Sequence, residues 1–236
     1  MKNQAQHSPL ALTTNGLIVP VGFPVASYES IHSIVSTAQA SHLLYEHYAG
    51  AWNALAYRFR ASMDHGDAFV LLFNSNGPTP PPEERYMQEK ALFDFFSAGF
   101  SVFESTFYGL YVIGAFLSPT LFSLSSQKEQ QQITPNRTRD TFTRAFPSDP
   151  ILNTFSALFM DPEYQKWREI RNVLTHRTAP GRRIYVSIGS DDAPPTEWKL
   201  NNSVLDASIV TNGKSELSRL LTCLLEGSAK FVATRL

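Results

Sequence analysis

Apolar residues recur at helical spacing along most of the chain. From Ser27 or Ser30, either of which could cap a helix, apolar positions repeat at intervals of three, four and seven to about Ser62. This pattern predicts one long helix, interrupted at His65-Gly66-Asp67 before the apolar run 69–73 resumes it. A second helix is predicted from about residue 83 to 117, where Phe side chains crowd one side and Pro119 ends the pattern.

The C-terminal half predicts further helices and one hairpin. A third helical region starts at Thr138, and another helix start follows where Asp161 can act as N-cap and Pro162 takes the first helical position. Two short runs of β-type residues at about 183–200 predict a β-hairpin. A last helix at about 215–235 carries its leucines on one stripe.

These elements together predict a mainly α fold. We expect a single helical bundle of four to five main helices, with a small β-hairpin inserted before the C-terminal helix. Residues 1–26 are punctuated by Pro and Gly and are expected to form an irregular N-terminal arm, while residues 27–236 form the helical domain. Residues 120–136 are polar and are expected to be a solvated connector.

Composition excludes several classes of protein. Of the 236 residues, 43% are hydrophobic and only 17% are charged, so the chain should fold rather than remain disordered. The net charge of −1 argues against a protein that coats nucleic acid with uniform positive charge. The single cysteine, Cys223, excludes an intramolecular disulfide framework and a CxxC metal ribbon. We expect neither a metal nor a cofactor.

One segment must be compared with a membrane span, because residues 105–127 contain no charged side chain. Its apolar part is shorter than the roughly 20 residues that a spanning helix needs, and Asp94 and Glu104 lie just upstream. A buried core helix is therefore predicted. Since the N-terminus also lacks the pattern of a signal peptide, we expect a cytoplasmic protein without a membrane partner.

Positive charge concentrates in one stretch near the end of the predicted third helical region. Residues 166–183 hold six of the 20 basic residues and one acidic residue, Glu169. Such a concentration favours contact with the phosphates of RNA, although a solvated helix face followed by a basic turn has the same composition. The residues expected to contact RNA are Lys166, Arg168, Arg177, Arg182 and Arg183.

Within this stretch lie Arg171, the polar Asn172 and, four residues further on, His176. In this motif and in the order of its helices, the sequence resembles the HEPN superfamily, helical-bundle proteins that include many metal-independent ribonucleases. The resemblance covers residues 27–236 in architecture and implies that these three residues are catalytic. It also implies a homodimer in which two motifs meet across a two-fold axis, and a toxin or defence setting.

The chemistry of the two outer residues suits cleavage of RNA by its own 2′-hydroxyl. A histidine can act as base or acid near neutral pH, because its ordinary pKa is about 6.5. An arginine supplies permanent charge to the crowded phosphate. On a regular helix, however, positions 171 and 176 differ by roughly 140°. Either the helix loosens before His176, or the two side chains reach a shared site from different sides.

Two functions are therefore open. The first is a HEPN-like RNA-binding protein or metal-independent endoribonuclease that uses Arg171 and His176 in a dimeric composite site. The alternative is a non-enzymatic helical module that dimerises or binds a protein partner through its apolar faces.

Overall fold

The computed structural model describes residues 10–13, 16–176, 180–185, 196–200 and 203–236, and of His176 it describes the backbone. Within these residues the fold is mainly α, as predicted, with eight helices and two small sheets. The elements are β1 (Leu10–Leu12), β2 (Ile18–Pro20), α1 (Val25–Gln39), α2 (Tyr45–Asn76), α3 (Pro82–Leu117), α4 (Gln127–Gln131), α5 (Pro135–Ala145), α6 (Ile151–Met160), α7 (Pro162–His176), β3 (Arg182–Arg183), β4 (Glu197–Leu200), β5 (Ser203–Val204) and α8 (Ala207–Arg235).

The N-terminal arm is more ordered than the sequence predicts. Its described part contains an antiparallel pair, β1 and β2, in which Leu10 faces Pro20 and Leu12 faces Ile18. Val19 of β2 is completely buried and belongs to the core. Pro20 is buried as well, so the described part of the arm contains a short strand pair that the pattern of Pro and Gly did not predict.

The predicted long helix is divided at a different place from the one expected. Turns at residues 40–44 separate α1 from α2, and there the backbone N–H of Leu44 donates to Nδ1 of His42 (3.1 Å). The break expected near Gly66 does not occur, and α2 continues through it. A Cβ at position 66 would lie 3.0 Å from the ring of Phe95, so this glycine allows close packing against α3.

Helices α2 and α3 form the antiparallel pair at the centre of the molecule. Gly77 ends α2 with φ of 65°, in the left-handed region that favours glycine, and donates its N–H to the carbonyl of Phe73. The buried amide of Gln88 closes the turn by donating to the carbonyls of Leu72 and Gly77, both at 3.1 Å.

Among the described helices, α3 alone has the length and hydropathy to cross a bilayer. In its most apolar window, 72% of the residues are buried inside the protein. This is the arrangement of a core helix, as the sequence predicts. The cytoplasmic location remains a prediction.

The C-terminal half packs α5, α6, α7 and α8 around α3. Asp161 begins α7 as predicted, accepting the N–H of Glu163 at 2.9 Å. Helix α8 starts earlier than the predicted residue 215, at Ala207, where Asp206 caps it through the N–H groups of Ser208 and Ile209. Between α7 and α8, β3 pairs with β4 in the predicted hairpin, and β5 extends the sheet. Residues 186–195 lie outside the described part of the chain.

The contact between Gly99 of α3 and Trp167 of α7 provides a test of how these two helices pack. A Cβ at Gly99 of α3 would lie 2.6 Å from Cη2 of Trp167, whereas a Cβ at Gly50 of α2 would meet no atom within 4 Å. We expect Gly99→Ala to lower the free energy of unfolding by about 1–3 kcal/mol through overpacking. Gly50→Ala, the matched control, should raise it by roughly 0.5–1 kcal/mol through helix propensity.

Urea denaturation of the two variants beside the wild-type protein measures both changes. Equal stabilities of the Gly99→Ala and Gly50→Ala proteins would contradict the packing of α7 on α3.

Candidate nucleic-acid interface

Helix α7 carries the predicted motif, and its buried face fixes how the motif is presented. Trp167 is 1% exposed and packs against the rings of Phe95 and Phe96, with centroid distances of 4.9 and 4.7 Å. Ile170 and Val173 continue the buried stripe toward the end of the helix. The side chains on the flanks of this stripe therefore stand at the edge between α7 and α3.

Arg171 occupies that edge and has a defined position. Its guanidinium lies over the ring of Phe100 at 5.1 Å, and one of its N–H groups donates to Oδ1 of Asn172 at 3.0 Å. A second N–H group forms an ion pair with the carboxylate of Glu104. The side chain remains 20% exposed, so the charge is positioned without being removed from solvent.

Glu104 is a site residue that the sequence motif does not include. Its other carboxylate oxygen accepts the Ser101 hydroxyl at 3.2 Å, which orients the carboxylate toward α7. The sequence offered one signal for Glu104. It is the last charged residue before 23 uncharged ones, on a helix predicted to lie in the core. A charge so placed requires a partner, but the sequence does not show that the partner is Arg171.

The backbone at His176 decides between the two geometries left open by the sequence. Helix α7 is α-helical from Pro162 through His176, so loosening before His176 does not occur. Positions 171 and 176 therefore lie about 140° apart around one continuous helix.

A second observation extends the positive charge beyond α7. Burial raises the pKa of the Tyr164 phenol, an effect that the charges of Arg168, Arg139 and Arg171 oppose. Arg139 belongs to α5, where it also lies over the ring of Phe159 at 4.9 Å. Three arginines from two helices thus act electrostatically on one phenol, and we refer to Arg139, Arg168 and Arg171 as the arginine cluster. Sequence reasoning missed Arg139 because it lies on another helix.

The remaining residues predicted to contact RNA are Lys166, Arg177, Arg182 and Arg183. Lys166 lies 3.4 Å from the carboxylate of Glu163 one turn earlier and is partly exposed. Arg183 is exposed on β3. Arg177 lies outside the described residues.

Arg182 holds the C-terminal sheet onto the turn between α2 and α3. Its side chain is only 3% exposed and stacks over Trp198, 3.9 Å from the ring centroid. It donates to the carbonyl of Pro78 (2.8 Å) and to Oε1 of Gln88 (2.9 Å). Burial lowers the pKa of this guanidinium, while the nearby Glu89 carboxylate opposes the shift. In this structure Arg182 faces the protein rather than solvent.

Two further groups of side chains bear on function. Within the described residues, no three His, Cys, Asp or Glu side chains form a group that could hold a metal ion. Trp167 and Trp198, the aromatic side chains near the basic stretch, are both buried in the core, so neither is available to stack on a base.

A scan against protein-family models finds no match to the chain, and searches of the curated proteins and of the solved structures find none either. The function of the protein must therefore be inferred from its own residues and their geometry.

The adjacent arginines of β3 generate a paired test. Arg182→Ala should lower the free energy of unfolding by about 2–3 kcal/mol, because it removes the stacking on Trp198 and two hydrogen bonds, and leaves Oε1 of the buried Gln88 without its donor. Arg183→Ala removes an equal charge from an exposed position and should change it by less than about 0.5 kcal/mol. Chemical denaturation of both variants measures the difference, and equal stabilities would show that Arg182 does not anchor the sheet.

Proposed function

We propose that this protein is a HEPN-like, metal-independent endoribonuclease that acts as a homodimer on single-stranded RNA. Its catalytic residues would be Arg171, His176 and Asn172. The observation that carries the proposal is the position of Arg171, held by Glu104 and Asn172 at the partly exposed edge of α7 within the arginine cluster.

The reaction assigns separate tasks to the histidine and to Arg171. The 2′-hydroxyl of RNA attacks the adjacent phosphorus and the bond to the 5′-oxygen breaks, which leaves a 2′,3′-cyclic phosphate and a free 5′-hydroxyl. A base must take the proton from the attacking oxygen, and an acid must protonate the leaving oxygen. Histidine can perform either step, and Arg171 would stabilise the charge that develops on the phosphate oxygens.

The ion pair with Glu104 is compatible with phosphate binding. A guanidinium carries five N–H donors, and the contacts to Glu104 and Asn172 leave others for a phosphate oxygen. The carboxylate keeps the side chain in one orientation, so less conformational freedom is lost when RNA binds.

Helix geometry supports a site shared between two protomers. One α7 helix presents positions 171 and 176 about 140° apart, and it supplies one histidine where the reaction needs both an acid and a base. A two-fold dimer supplies a second copy of each residue. We therefore propose that Arg171 of one protomer acts with His176 of the other.

The RNA strand would follow the positive surface around α7. Lys166, Arg168 and Arg183 supply partly or fully exposed charge, and Arg139 adds a contact from α5. Arg177 follows the motif directly in sequence. Because Arg182 faces the protein, we do not include it among these contacts.

A non-enzymatic helical module is the second candidate, since the pair between Arg171 and Glu104 also joins α7 to α3. In that case the ion pair serves the fold, and the exposed apolar side chains of α2 and α3, such as Tyr57, Leu71 and Phe93, serve a protein partner.

Cleavage of single-stranded RNA distinguishes the two candidates. We expect the wild-type protein to cleave RNA in the presence of EDTA and to leave 2′,3′-cyclic phosphate ends. Arg171→Ala should reduce the rate by roughly 10²–10³-fold, the usual loss for one donor to a developing negative charge. His176→Ala should reduce it at least as much. Gel-based assays with end-labelled RNA measure all three proteins.

Glu104→Gln is the matched control for structure. It removes the partner of Arg171 but leaves the guanidinium, so it should retain more activity than Arg171→Ala even where the two variants lose similar stability. A wild-type protein that cleaves no RNA, or equal activities of the two variants, would favour the structural role and the interaction module.

A further inference from the structure

Four aromatic side chains form one stack between α1 and α2. Tyr28 and His32 lie one turn apart on α1, and Tyr48 and Trp52 lie one turn apart on α2. Tyr28 stacks on Trp52 with a centroid distance of 5.5 Å, and Trp52 stacks on Tyr48 at 5.3 Å. His32 stacks on the other side of the series, 6.2 Å from Tyr48. We refer to these four rings as the aromatic stack. His32 is its terminal ring and belongs to the residue type that can take up a proton near neutral pH.

The two ends of the aromatic stack differ in their hydrogen bonds. At one end the Tyr28 hydroxyl donates to the carbonyl of Trp52 at 3.3 Å, and the indole N–H of Trp52 donates to the carbonyl of Tyr28 at 3.1 Å. At the other end, Nδ1 of His32 and the hydroxyl of Tyr48 are both buried, and within the described residues neither atom has a hydrogen-bond partner. Helix α1 is therefore held firmly to α2 at Tyr28 and less firmly at His32.

The surroundings of His32 suit a neutral imidazole. In the neutral form Nδ1 can be the unprotonated nitrogen, which leaves an unpaired acceptor but no charge. Protonation makes Nδ1 a charged donor that is still buried without an acceptor, and an unpaired buried charge costs more than an unpaired neutral atom. Burial accordingly lowers the pKa of His32. The carboxylate of Glu29, three residues earlier on α1, opposes this shift and is the smaller effect.

The helices packed against α1 supply no charge that offsets this cost within the part of the chain that the structure describes. On α2, Tyr48 faces His32, and burial raises the pKa of its phenol, so the phenol stays neutral. The charged side chains of α8 are directed to other elements: Lys214 pairs with Asp67, Arg219 with Asp161 and Glu216, and Arg235 with Asp149, while Glu226 and Lys230 line a cavity against α6.

We propose that the contact between α1 and α2 is a pH-sensitive switch, which is closed while His32 is neutral and opened when His32 takes up a proton. In the open form the imidazolium leaves Tyr48 and reaches water. The two hydrogen bonds between Tyr28 and Trp52 hold the other end, so residues 32–39 of α1 open before residues 25–28. The switch does not depend on the proposed ribonuclease activity.

The direction of the pH dependence follows from the two protonation equilibria of His32. In the open form its pKa has the ordinary value of 6.5, whereas in the closed form the pKa is lower. The closed form is therefore fully favoured above about pH 6.5. Its advantage falls as the pH drops through 6.5 toward the pKa of the closed form, by about tenfold for each unit between the two values.

Hydrogen exchange on the full chain, corrected for the intrinsic exchange rate, tests the proposal. Between about pH 7.5 and pH 5, the amides of residues 32–39 should lose protection by about tenfold for each unit of the pKa difference. The amides of α3 serve as the internal reference for global unfolding and should keep their protection over the same range.

His32→Phe and Tyr48→Phe form a matched pair of variants. His32→Phe keeps a ring against Tyr48 but takes up no proton, so residues 32–39 should remain protected at both pH values. Tyr48→Phe keeps the stacking and removes only the buried hydroxyl without a partner, so it should retain the pH response of the wild-type protein.

An NMR titration of the His32 ring in the wild-type protein gives a reading that does not depend on any variant. We expect its pKa to lie below the ordinary value of 6.5. A pKa at or above that value, a loss of protection in residues 32–39 no larger than that in α3, or a pH response that persists in His32→Phe would each overturn the switch.

Discussion

The contact of Trp167 with Gly99 determines where Arg171 lies relative to its partners on α3. Because Gly99 has no side chain, the indole of α7 comes within van der Waals contact of the α3 backbone, where it also packs against the rings of Phe95 and Phe96. One turn later, Arg171 is then close enough to cover Phe100 and reach a carboxylate on α3. A larger residue at position 99 would move α7 outward, and the guanidinium would lose both partners.

Local signals in the sequence were sufficient for part of the fold. Helix α3 ends within a residue or two of its predicted limits because prolines bound it, and α7 begins at Asp161 because an N-cap acts within one turn. The division between α1 and α2 was misplaced, because Gly66 indicated a break and instead serves close packing with Phe95. Such a glycine can be interpreted correctly only when its distant neighbour is known.

The candidate site was predictable only in its motif. Three arginines with the same chemistry have three different environments: Arg171 pairs with Glu104, Arg182 is buried against Trp198, and Arg58 donates to the Ser101 carbonyl and the Ser105 hydroxyl of α3. In each case the environment depends on residues at least 16 positions away in the chain. Charge density along the sequence therefore located the basic stretch but did not separate anchoring arginines from exposed ones. The partners distinguish the arginines that hold the fold from those that stay exposed to solvent.

The central claim is that Arg171 of one protomer acts with His176 of the other, because one continuous helix separates the two positions by about 140°. Mixed dimers purified through two different affinity tags test it directly. A dimer of Arg171→Ala and His176→Ala protomers retains one arginine and one histidine on different chains, whereas a dimer of wild-type and doubly substituted protomers retains them on the same chain. Each of these dimers keeps one of the two histidines, so both should cleave RNA more slowly than the wild-type dimer. The account predicts that the first dimer retains the higher activity of the two. Equal activities, or a higher activity of the second dimer, would contradict it.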